Sequence, residues 1–581
     1  MHTVSAPAGG GKTSFSYALV AAVTRYADER PDAPYGSVIV VDQIEKADKV
    51  YRELNELLPG KVAIWTSDHD TACREPEKVE EPAARFAPAE LRHYPVIVVT
   101  HRFYLGTRGH NARGVVRNGL HGQRALTVLD ERPDEAPTID IMLSEAQAVR
   151  EKLIETHPET KEHLDALLSF MEEYSYAPRN KLYRPGLEID PDDLTKELSW
   201  FKSGPAERLA QSAATSVPGI GRLFAFAKAL VVGRACVATS GALTHFFGYE
   251  EQRVIDLSAG TILLDATADI DGISSIVPWR VQTETPKARY DNLEIIHVPQ
   301  HTKRRLSEYL KTASNQRAYV RYIVETIKQY MQPGEKGLVI CKKCLFDNER
   351  IPHWDEDDPR FKDPKIYTEE YGWDVDGRKL CATHWGTGIG SNTWRDADVV
   401  FLFDEFHIPR RIHLATTQGY RRHRMHEGDL AAMRTLNSKA PGVDVIAVGH
   451  ALRWTKQLAL RGRARLYDET GLCGKQRLVV GSDLKKFMAN VDRLFPGAKV
   501  RTECAATDSA PLMDRVLSAL NKAEQRDLSS KDLSKLIRKP WRSVSRNVLT
   551  SEFLATIGAR GWRYVPTKGR AGARFERRTA N

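Results

Sequence analysis

The chain has 581 residues, with a hydrophobic content of 41%, a charged content of 28% and a formal net charge of +9. This composition is typical of a water-soluble protein of about three or four globular domains and excludes a disordered or collagen-like chain. No apolar run approaches the ~20 residues that cross a bilayer. The 7 cysteines of so long a chain do not indicate a disulfide framework. We therefore expect a cytoplasmic protein with no membrane partner.

A glycine-rich segment near the N-terminus carries the strongest functional signal. Residues 6–13 read Ala-Pro-Ala-Gly-Gly-Gly-Lys-Thr and precede a predicted helix at 14–25. The pattern is typical of a P-loop, in which glycines free backbone N–H groups for phosphate oxygens, a lysine reaches the β- and γ-phosphates and a hydroxyl ligates Mg²⁺. The residues expected to bind ATP in this segment are Gly9, Gly10, Gly11, Lys12, Thr13 and Ser14. Because the motif starts almost at Met1, we expect no signal peptide.

Apolar runs alternate with helical segments after the P-loop. Strands are predicted at 37–42, 62–66, 96–101 and 126–131, with a helix at 45–58. This alternation predicts an α/β fold with a doubly wound sheet, in which ligands bind at the carboxyl ends of the strands.

Two carboxylates end the fourth of these strands. Asp130 and Glu131 are expected at the sheet edge where the P-loop binds phosphates. Asp130 is suited to hold Mg²⁺, and Glu131 is suited to orient and deprotonate the attacking water.

A second series of segments follows a long interval. A buried strand leads into Ala266, Thr267 and Ala268, and a second α/β unit is predicted from about residue 290. Its strands are predicted at 336–341, 380–384 and 398–403. It also contains a glycine-rich stretch at 385–392 and closely spaced arginines at 457–465, which could reach a γ-phosphate.

In this order, the motifs resemble those of superfamily 2 helicases of the DEAD/DEAH type, which have two RecA-like domains. The P-loop resembles the family's first motif, Asp130-Glu131 its DExx motif, and 266–268 its Ser-Ala-Thr motif. Residues 386–392 resemble the fifth motif and 457–465 the sixth, so that the resemblance covers residues 1–470.

The resemblance implies an ATP hydrolase that binds its nucleotide between two lobes. Lys12, Glu131, Arg463 and Arg465 are then the catalytic residues. Arg461 is the alternative arginine finger, because the sixth motif has two extra residues between Gln457 and Gly462. The resemblance further implies that Gly390 contacts ATP, that Gln457 and residues 266–268 couple the nucleotide site to nucleic acid, and that His101 contacts a nucleic-acid strand.

The predicted domains follow from the order of the motifs. The first RecA-like domain comprises 1–135 and resumes at 256–288, after a mainly helical insertion at 136–255. The second RecA-like domain comprises 289–475, and a basic winged-helix-like domain follows at 476–581. Helices are predicted in the insertion at 143–173, 192–201 and 219–232. It is either an arch or clamp over a single strand, or a module for packing or partner docking.

Four residues of the second unit have the spacing of zinc ligands. Cys341, Cys344, Cys381 and His384 form a CxxC…CxxH set, which predicts a structural Zn²⁺ site. The alternative is that Cys341 and Cys381 are ordinary buried strand residues.

The C-terminal 60 residues are basic. Residues 522–581 contain 15 Lys and Arg against 5 Asp and Glu, which indicates a polyanion partner. Helices predicted at 512–521, 531–537 and 543–557, and strands at 562–565 and 573–576, resemble a winged helix-turn-helix domain. Its DNA contacts are predicted at Arg542, Ser545, Arg546 and, on the wing at 569–572, Arg570. The alternative is a tail that only solubilises the protein.

Together these features predict an ATP- and Mg²⁺-dependent DNA helicase or translocase. Its partners would be DNA, as a single-strand track and a duplex anchor, and replication or defence-system proteins. The alternatives are a DNA-binding regulatory protein that ATP switches without unwinding, and an RNA-remodelling helicase.

Overall fold

A computed structural model gives the fold of the chain. The structure describes residues 1–581 except 8, 31, 33–34, 134–135, 176–195, 241–242, 251–258, 278, 286, 300–305, 347–370, 388–392, 422–440, 483, 504–511, 524–526, 538–540, 567–572 and 578–581.

The chain forms two compact units. The first comprises Met1–Lys287 and His407–Arg453, and the second comprises Ala288–Phe406 and Trp454–Asn581. The first unit's N-terminal stretch ends at Lys287, and the predicted boundary between the two RecA-like domains is at residue 288. The segment 407–453, which the sequence prediction assigns to the second RecA-like domain, belongs instead to the first unit.

The first unit is built on a seven-stranded sheet. Its elements before the insertion are β1 (His2–Val4), α1 (Lys12–Asp28), β2 (Ser37–Val41), α2 (Ile44–Leu57), β3 (Val62–Trp65), β4 (Val96–Thr100), α3 (His101–Leu105), α4 (His110–Arg113), β5 (Gly114–Arg117), β6 (Leu120–Gln123) and β7 (Leu126–Asp130).

The elements of the insertion follow in chain order. They are β8 (Thr138–Met142), α5 (Leu143–Thr156), α6 (Lys161–Ser175), α7 (Lys196–Ser199), α8 (Gly204–Ser212), α9 (Ile220–Val231), β9 (Ala235–Ser240) and β10 (Leu243–Tyr249). The first unit then continues with β11 (Thr261–Leu264) and β12 (Val281–Thr283).

All neighbours in the seven-stranded sheet are parallel. The strand order is β12-β1-β11-β7-β2-β4-β3. Every residue of β2 is buried, because apolar side chains cover both faces of the sheet, as expected for a central parallel strand. The four strands predicted before residue 131, and the helices of 14–25 and 45–58, are all present, with bounds that shift by up to three residues.

The insertion has its own core and contains a sheet that the sequence analysis missed. Its helices surround a core that includes Leu153, Leu164, Leu223 and Phe226. The predicted helix of 143–173 is two helices, α5 and α6, separated at residues 157–160. Strands β8, β10 and β9 form an antiparallel three-stranded sheet. Along β8, Ile139 and Ile141 are buried and alternate with half-buried residues. This alternation of period two is already visible in the sequence of 138–142 and could have predicted the strand.

The second unit is built on a second seven-stranded sheet. Its elements are β13 (Leu293–His297), α10 (Leu306–Tyr309), α11 (Ala313–Tyr330), β14 (Lys336–Cys341), β15 (Trp373–Val375), β16 (Arg378–His384), β17 (Val399–Leu402) and, after 407–453, β18 (Gln476–Val480), α14 (Lys485–Met488), α15 (Val491–Leu494) and β19 (Lys499–Thr502). Two helices of 407–453 are α12 (Arg410–Arg421) and α13 (Pro441–Ala459), whose last residues from Trp454 belong to the second unit.

The second sheet is parallel except at one edge. Its order is β15-β16-β14-β17-β18-β13-β19, and only β15 pairs antiparallel. Two α/β units on mainly parallel sheets confirm the fold class that the sequence predicts.

The C-terminal elements form a small domain with one apolar core. They are α16 (Leu512–Lys522), β20 (Asp527–Ser529), α17 (Ser530–Leu536), α18 (Trp541–Asn547), α19 (Ser551–Ala559), β21 (Trp562–Val565) and β22 (Arg574–Arg577), with sheet order β20-β22-β21. The core includes Val516, Leu533, Phe553 and Phe575.

The predicted single helix at 543–557 is wrong. It consists of α18 and α19, because the Thr550 hydroxyl accepts a hydrogen bond from the Phe553 N–H at 3.1 Å and starts a new helix. Ser529 caps the preceding helix, α17, with its hydroxyl accepting a hydrogen bond from the Asp532 N–H at 3.1 Å.

Among the helices that the structure describes, none combines the length and the apolar character that crossing a membrane requires.

Candidate nucleotide site

Five neighbouring strands of the first sheet end at one edge with functional groups. The P-loop follows β1, Asp265 follows β11, Asp130 ends β7, Asp42 follows β2, and His101 follows β4. These strands lie side by side in the order β1-β11-β7-β2-β4 and are parallel, so their carboxyl ends meet at the same edge. The register pairs Leu264 with Asp130. The topology therefore brings together residues that are up to 253 positions apart in the chain, from Lys12 to Asp265.

Two glycines of the predicted P-loop have a left-handed backbone. Gly9 and Gly11 have φ angles of 89° and 76°, which only glycine adopts without strain. Helix α1 starts directly after Gly11, with no side chain capping its first N–H groups and no acidic residue in its first turn. These N–H groups, together with the helix dipole, suit an anion. The Lys12 ammonium donates to the carbonyls of Ala6 and Pro7 at 2.8 and 3.0 Å, and Thr13 is exposed.

Asp130 already pairs with a cation of the protein. The Lys46 ammonium lies 3.1 Å from Asp130 Oδ2 and 3.1 Å from Asp42 Oδ1. Burial alone would lower the pKa of Lys46, but Asp130, Asp42 and Glu131 raise it above its usual value, so the side chain is an ammonium ion. Lys46 was not among the predicted site residues, because a lysine in the first turn of an amphipathic helix has no motif around it.

Glu131 combines an unusual backbone with a buried carboxylate oxygen. Its φ angle is 75°, in the left-handed region that non-glycine residues rarely adopt. Its Oε2 atom is buried without a hydrogen-bond partner. Burial and the nearby Asp265 raise the pKa of Glu131 above its usual range, while Lys46, Arg453 and Lys12 oppose this shift. A carboxylate with a raised pKa is suited to accept a proton near neutral pH.

Asp265 and Arg453 form the charged surroundings of Glu131. The Arg453 Nε atom lies 3.9 Å from Asp265 Oδ2, and the Arg453 side chain is 12% exposed. Burial would raise the pKa of Asp265, but Arg453, Arg132 and the hydrogen bonds from Thr267 lower it. The sequence analysis missed both residues. Arg453 lies four positions before Gln457, outside the expected arginine motif, and only the assignment of 407–453 to the first unit brings it here.

Arg132, the residue after the Asp130-Glu131 pair, forms an ion pair with a buried carboxylate. It binds Asp271 Oδ2 at 2.8 Å, and Arg280 lies 3.5 Å from the same oxygen. Asp271 is 1% exposed. The ion pair links the end of β7 to the segment that follows β11.

Ala266, Thr267 and Ala268 are buried rather than exposed. Thr267 donates its N–H and its hydroxyl to Asp265 Oδ1 at 2.8 and 2.7 Å. The segment thus orients Asp265, which faces Arg453.

His101 follows β4 at the carboxyl edge and begins α3. Burial, with a smaller contribution from Lys46, lowers its pKa to about 4, while Asp42 opposes the shift. The imidazole is therefore neutral at pH 7. It lies in the electrostatic field of Asp42 and Lys46.

The predicted arginine motif of the second unit lies apart from the carboxyl edge of its own sheet. Arg463 is exposed and pairs with Asp398 at 2.9 Å. Asp398 directly precedes β17, so this arginine lies at the amino-terminal edge of the second sheet. Gln457 and Arg461 are buried, and Arg465 is half-buried. Gly390 lies outside the described residues.

The predicted zinc set does not converge on one point. In the register of β14 and β16, Cys341 pairs with His384 and Leu338 pairs with Cys381. Side chains alternate along a strand, so Cys381 faces the opposite side of the sheet from Cys341 and His384. Burial raises the pKa of the Cys341 thiol well above its usual value, which disfavours a thiolate ligand. In the part of the chain that the structure describes, no three His, Cys, Asp or Glu residues form a group that could hold a metal ion. A zinc site is therefore not supported.

The predicted DNA contacts of the C-terminal domain are partly described. Arg542 and Ser545 are exposed on α18. Arg570 and the predicted wing lie outside the described residues, as does the side chain of Arg546.

No protein-family model matches the sequence, and no curated protein matches it. Several solved helicase structures have a similar fold. The structure of S. tokodaii Xpd4 is 12% identical, with 87% of this chain and 96% of that chain covered and a TM-score of 0.45. An XPD helicase structure is 14% identical, covers 87% and 96% of the two chains and has a TM-score of 0.46. S. cerevisiae Dbp5 bound to RNA and ADP BeF3 is 9% identical, covers 92% and 89%, and has a TM-score of 0.31. These likenesses concern the fold.

Proposed function

We propose that the chain is an ATP-dependent DNA helicase or translocase of superfamily 2. The observation that carries the proposal is the carboxyl edge of the first sheet, where the P-loop, Asp130, Glu131 and Asp265 follow three adjacent strands. A P-loop alone supports nucleotide binding. The neighbouring Asp-Glu pair supports hydrolysis.

Each residue has a defined role in this proposal. Lys12 binds the β- and γ-phosphates together with the N–H groups of the P-loop. Glu131 accepts a proton from the attacking water, and its raised pKa makes it a suitable base. Asp265 and Arg453 set the electrostatic surroundings of Glu131, and we treat Arg453 as a positioning residue.

The residues present fit a magnesium ion. Asp130 is oriented toward a cation, as its ion pair with Lys46 shows, and the Thr13 hydroxyl is exposed at the start of α1. Carboxylate and hydroxyl oxygens are ligands that Mg²⁺ prefers. When bound, Mg²⁺ would neutralise charge on the phosphates.

The basic C-terminal domain supports DNA as the partner. The sheet order β20-β22-β21 and the helices before it agree with the proposed winged-helix topology. Lys531, Lys535 and Arg542 are exposed on α17 and α18, where they would bind the DNA backbone. The chain has 7 cysteines in 581 residues, too few for a disulfide framework, which supports the proposed cytoplasmic location.

One observation favours a second function. Arg463, one of the two arginines that the motif favours as the finger, is engaged with Asp398 at the amino-terminal edge of its sheet. A DNA-binding protein that ATP switches without unwinding would show nucleotide binding with little DNA-stimulated turnover.

The test compares ATP hydrolysis and strand displacement in the wild type, Lys12→Ala and Glu131→Gln. We expect Lys12→Ala to lose nucleotide binding and hydrolysis. We expect Glu131→Gln to bind ATP but to hydrolyse it at least about 100-fold more slowly, because it lacks the base. Glu29→Gln, which changes an exposed glutamate at the end of α1, is the matched control and should keep full activity.

Hydrolysis that survives both changes would contradict the proposal. Single-stranded DNA, duplex DNA and RNA are compared as activators, and duplexes with 3′ and 5′ tails are the unwinding substrates. Greater stimulation by RNA would favour the RNA-remodelling alternative, and absence of stimulation would favour the switch.

A further inference from the structure

Lys46 lies beside Asp130, the carboxylate proposed to hold Mg²⁺. It is the third residue of α2, and its ammonium bridges Asp130 of β7 and Asp42 after β2 with two contacts of 3.1 Å. Its side chain is 23% exposed, and that of Asp130 is 10% exposed. The ion pair is therefore largely shielded from solvent and stronger than one at the surface.

The charges at this edge need a counterion when no metal is bound. Asp130, Glu131 and Asp265 end adjacent strands, and a polyphosphate brings further negative charge to the same place. Since unpaired carboxylates repel phosphate, a cation beside Asp130 stabilises nucleotide binding in the absence of Mg²⁺. The same cation competes with Mg²⁺ for an oxygen of Asp130.

We propose that Lys46 is a built-in counterion of Asp130 that weakens the coupling between Mg²⁺ and nucleotide. It allows ADP or ATP to bind without the metal and raises the Mg²⁺ concentration needed to load the site. This inference rests on the proposed nucleotide site and adds a residue that controls its metal dependence.

Linkage makes the proposal measurable without hydrolysis. The ratio of the Kd of ADP without Mg²⁺ to its Kd with Mg²⁺ equals the factor by which ADP raises the affinity for the metal. Removing the charge of Lys46 should increase this ratio, because ADP without the metal then meets an unneutralised carboxylate. Mg²⁺ also loses its competitor at Asp130, which lowers the Mg²⁺ concentration needed to load the site.

The experiment measures binding of a fluorescent ADP to the full chain, in EDTA and in saturating Mg²⁺. We expect Lys46→Met to increase the ratio about tenfold and to lower the Mg²⁺ concentration at half-maximal binding. Lys46→Arg keeps the positive charge and should restore a ratio near that of the wild type.

Lys49→Met is the matched control. It lies one turn further along α2, is 69% exposed and pairs only weakly with Glu53, at 3.8 Å. Thermal unfolding of each variant tests whether the fold is retained.

The outcomes separate this inference from the proposed function. If the wild type binds no ADP under either condition, the nucleotide site itself is wrong, and the inference falls with it. If the wild type binds ADP with a clear dependence on Mg²⁺ but Lys46→Met has the same ratio as Lys49→Met, the counterion role is wrong and the nucleotide site stands. If Lys46→Met does not fold, Lys46→Gln takes its place. A folded Lys46→Gln with the same ratio of ADP Kd values as the wild type overturns the inference.

Discussion

Arg453 is the arginine that the first unit places beside Glu131. It reaches Asp265 at 3.9 Å and opposes the rise in the pKa of Glu131. Arg463, one of the two residues that the motif favoured together with Arg465, has an exposed ion pair with Asp398 in the second unit. Arg453 and Arg463 are therefore alternative candidates for the arginine that supports hydrolysis.

We expect Arg453→Met to lower kcat at least about 100-fold while ADP still binds, because the charge beside Glu131 is lost. Removing this charge also raises the pKa of Glu131 further, so that more of the glutamate is protonated at a given pH. The acid limb of the pH–rate profile should therefore move to higher pH. Arg453→Lys keeps the charge and should keep a profile close to that of the wild type.

The control for this prediction is Arg463→Met. An exposed ion pair contributes less than about 1 kcal/mol to the free energy of unfolding, so the variant should fold, and we expect its kcat to stay within about threefold of the wild type. A large loss in Arg463→Met with an unchanged Arg453→Met would restore the motif-based assignment.

At the scale of elements, Arg132 and Asp271 link the end of β7 to the segment between β11 and β12. The ion pair spans 2.8 Å, and Asp271 is 1% exposed. A carboxylate so deeply buried depends on its cations, because removing one partner leaves an uncompensated charge.

We expect Arg132→Met to destabilise the first unit by about 3 kcal/mol, with Arg280 limiting the loss. Chemical unfolding would measure the loss in the free energy of unfolding, with hydrogen exchange of the backbone amides in β7 and β11 as the probe. Arg150→Met removes an ion pair with Asp165 whose side chains are 29% and 34% exposed, and we expect a loss below about 1 kcal/mol. Equal losses in the two variants would show that burial of Asp271 has no special importance.

The sequence predicted the elements with strong local signals. Continuous apolar runs such as 37–41 identify buried parallel strands, and Gly-Lys-Thr before a helix identifies the P-loop, because both patterns are set by neighbouring residues. The three strands of the insertion were missed because helical segments surround them. Lys46, Asp265 and Arg453 were missed for another reason. Their roles depend on which strands become neighbours, and no local pattern records that.

At the scale of the whole molecule, positive charge is concentrated at the C-terminus. Residues 522–581 contribute a balance of +10 to a net charge of +9. The folded core of this domain starts earlier, since Val516 and Leu517 of α16 are buried in it. A truncation that removes residues 522–581 would therefore take β20 to β22 away from α16, which packs against them. Point substitutions are the better test of DNA binding.

We expect Arg542→Glu to weaken DNA binding and to reduce the slope of log Kd against log salt by about 1, since one phosphate contact is lost. Lys152→Glu is the matched control, because it makes the same charge change at an exposed position of the insertion. Equal effects of the two changes would indicate that only the overall charge matters and would favour the solubilising tail.

The left-handed backbone conformation of Glu131 has an evolutionary consequence. A left-handed φ and a carboxylate oxygen enclosed near Asp265 both oppose folding. Glycine would relieve the first penalty, and any small neutral residue the second. Stability by itself would thus drive this position away from glutamate, and a chain released from the need to break an anhydride bond should lose Glu131 before it loses Lys12.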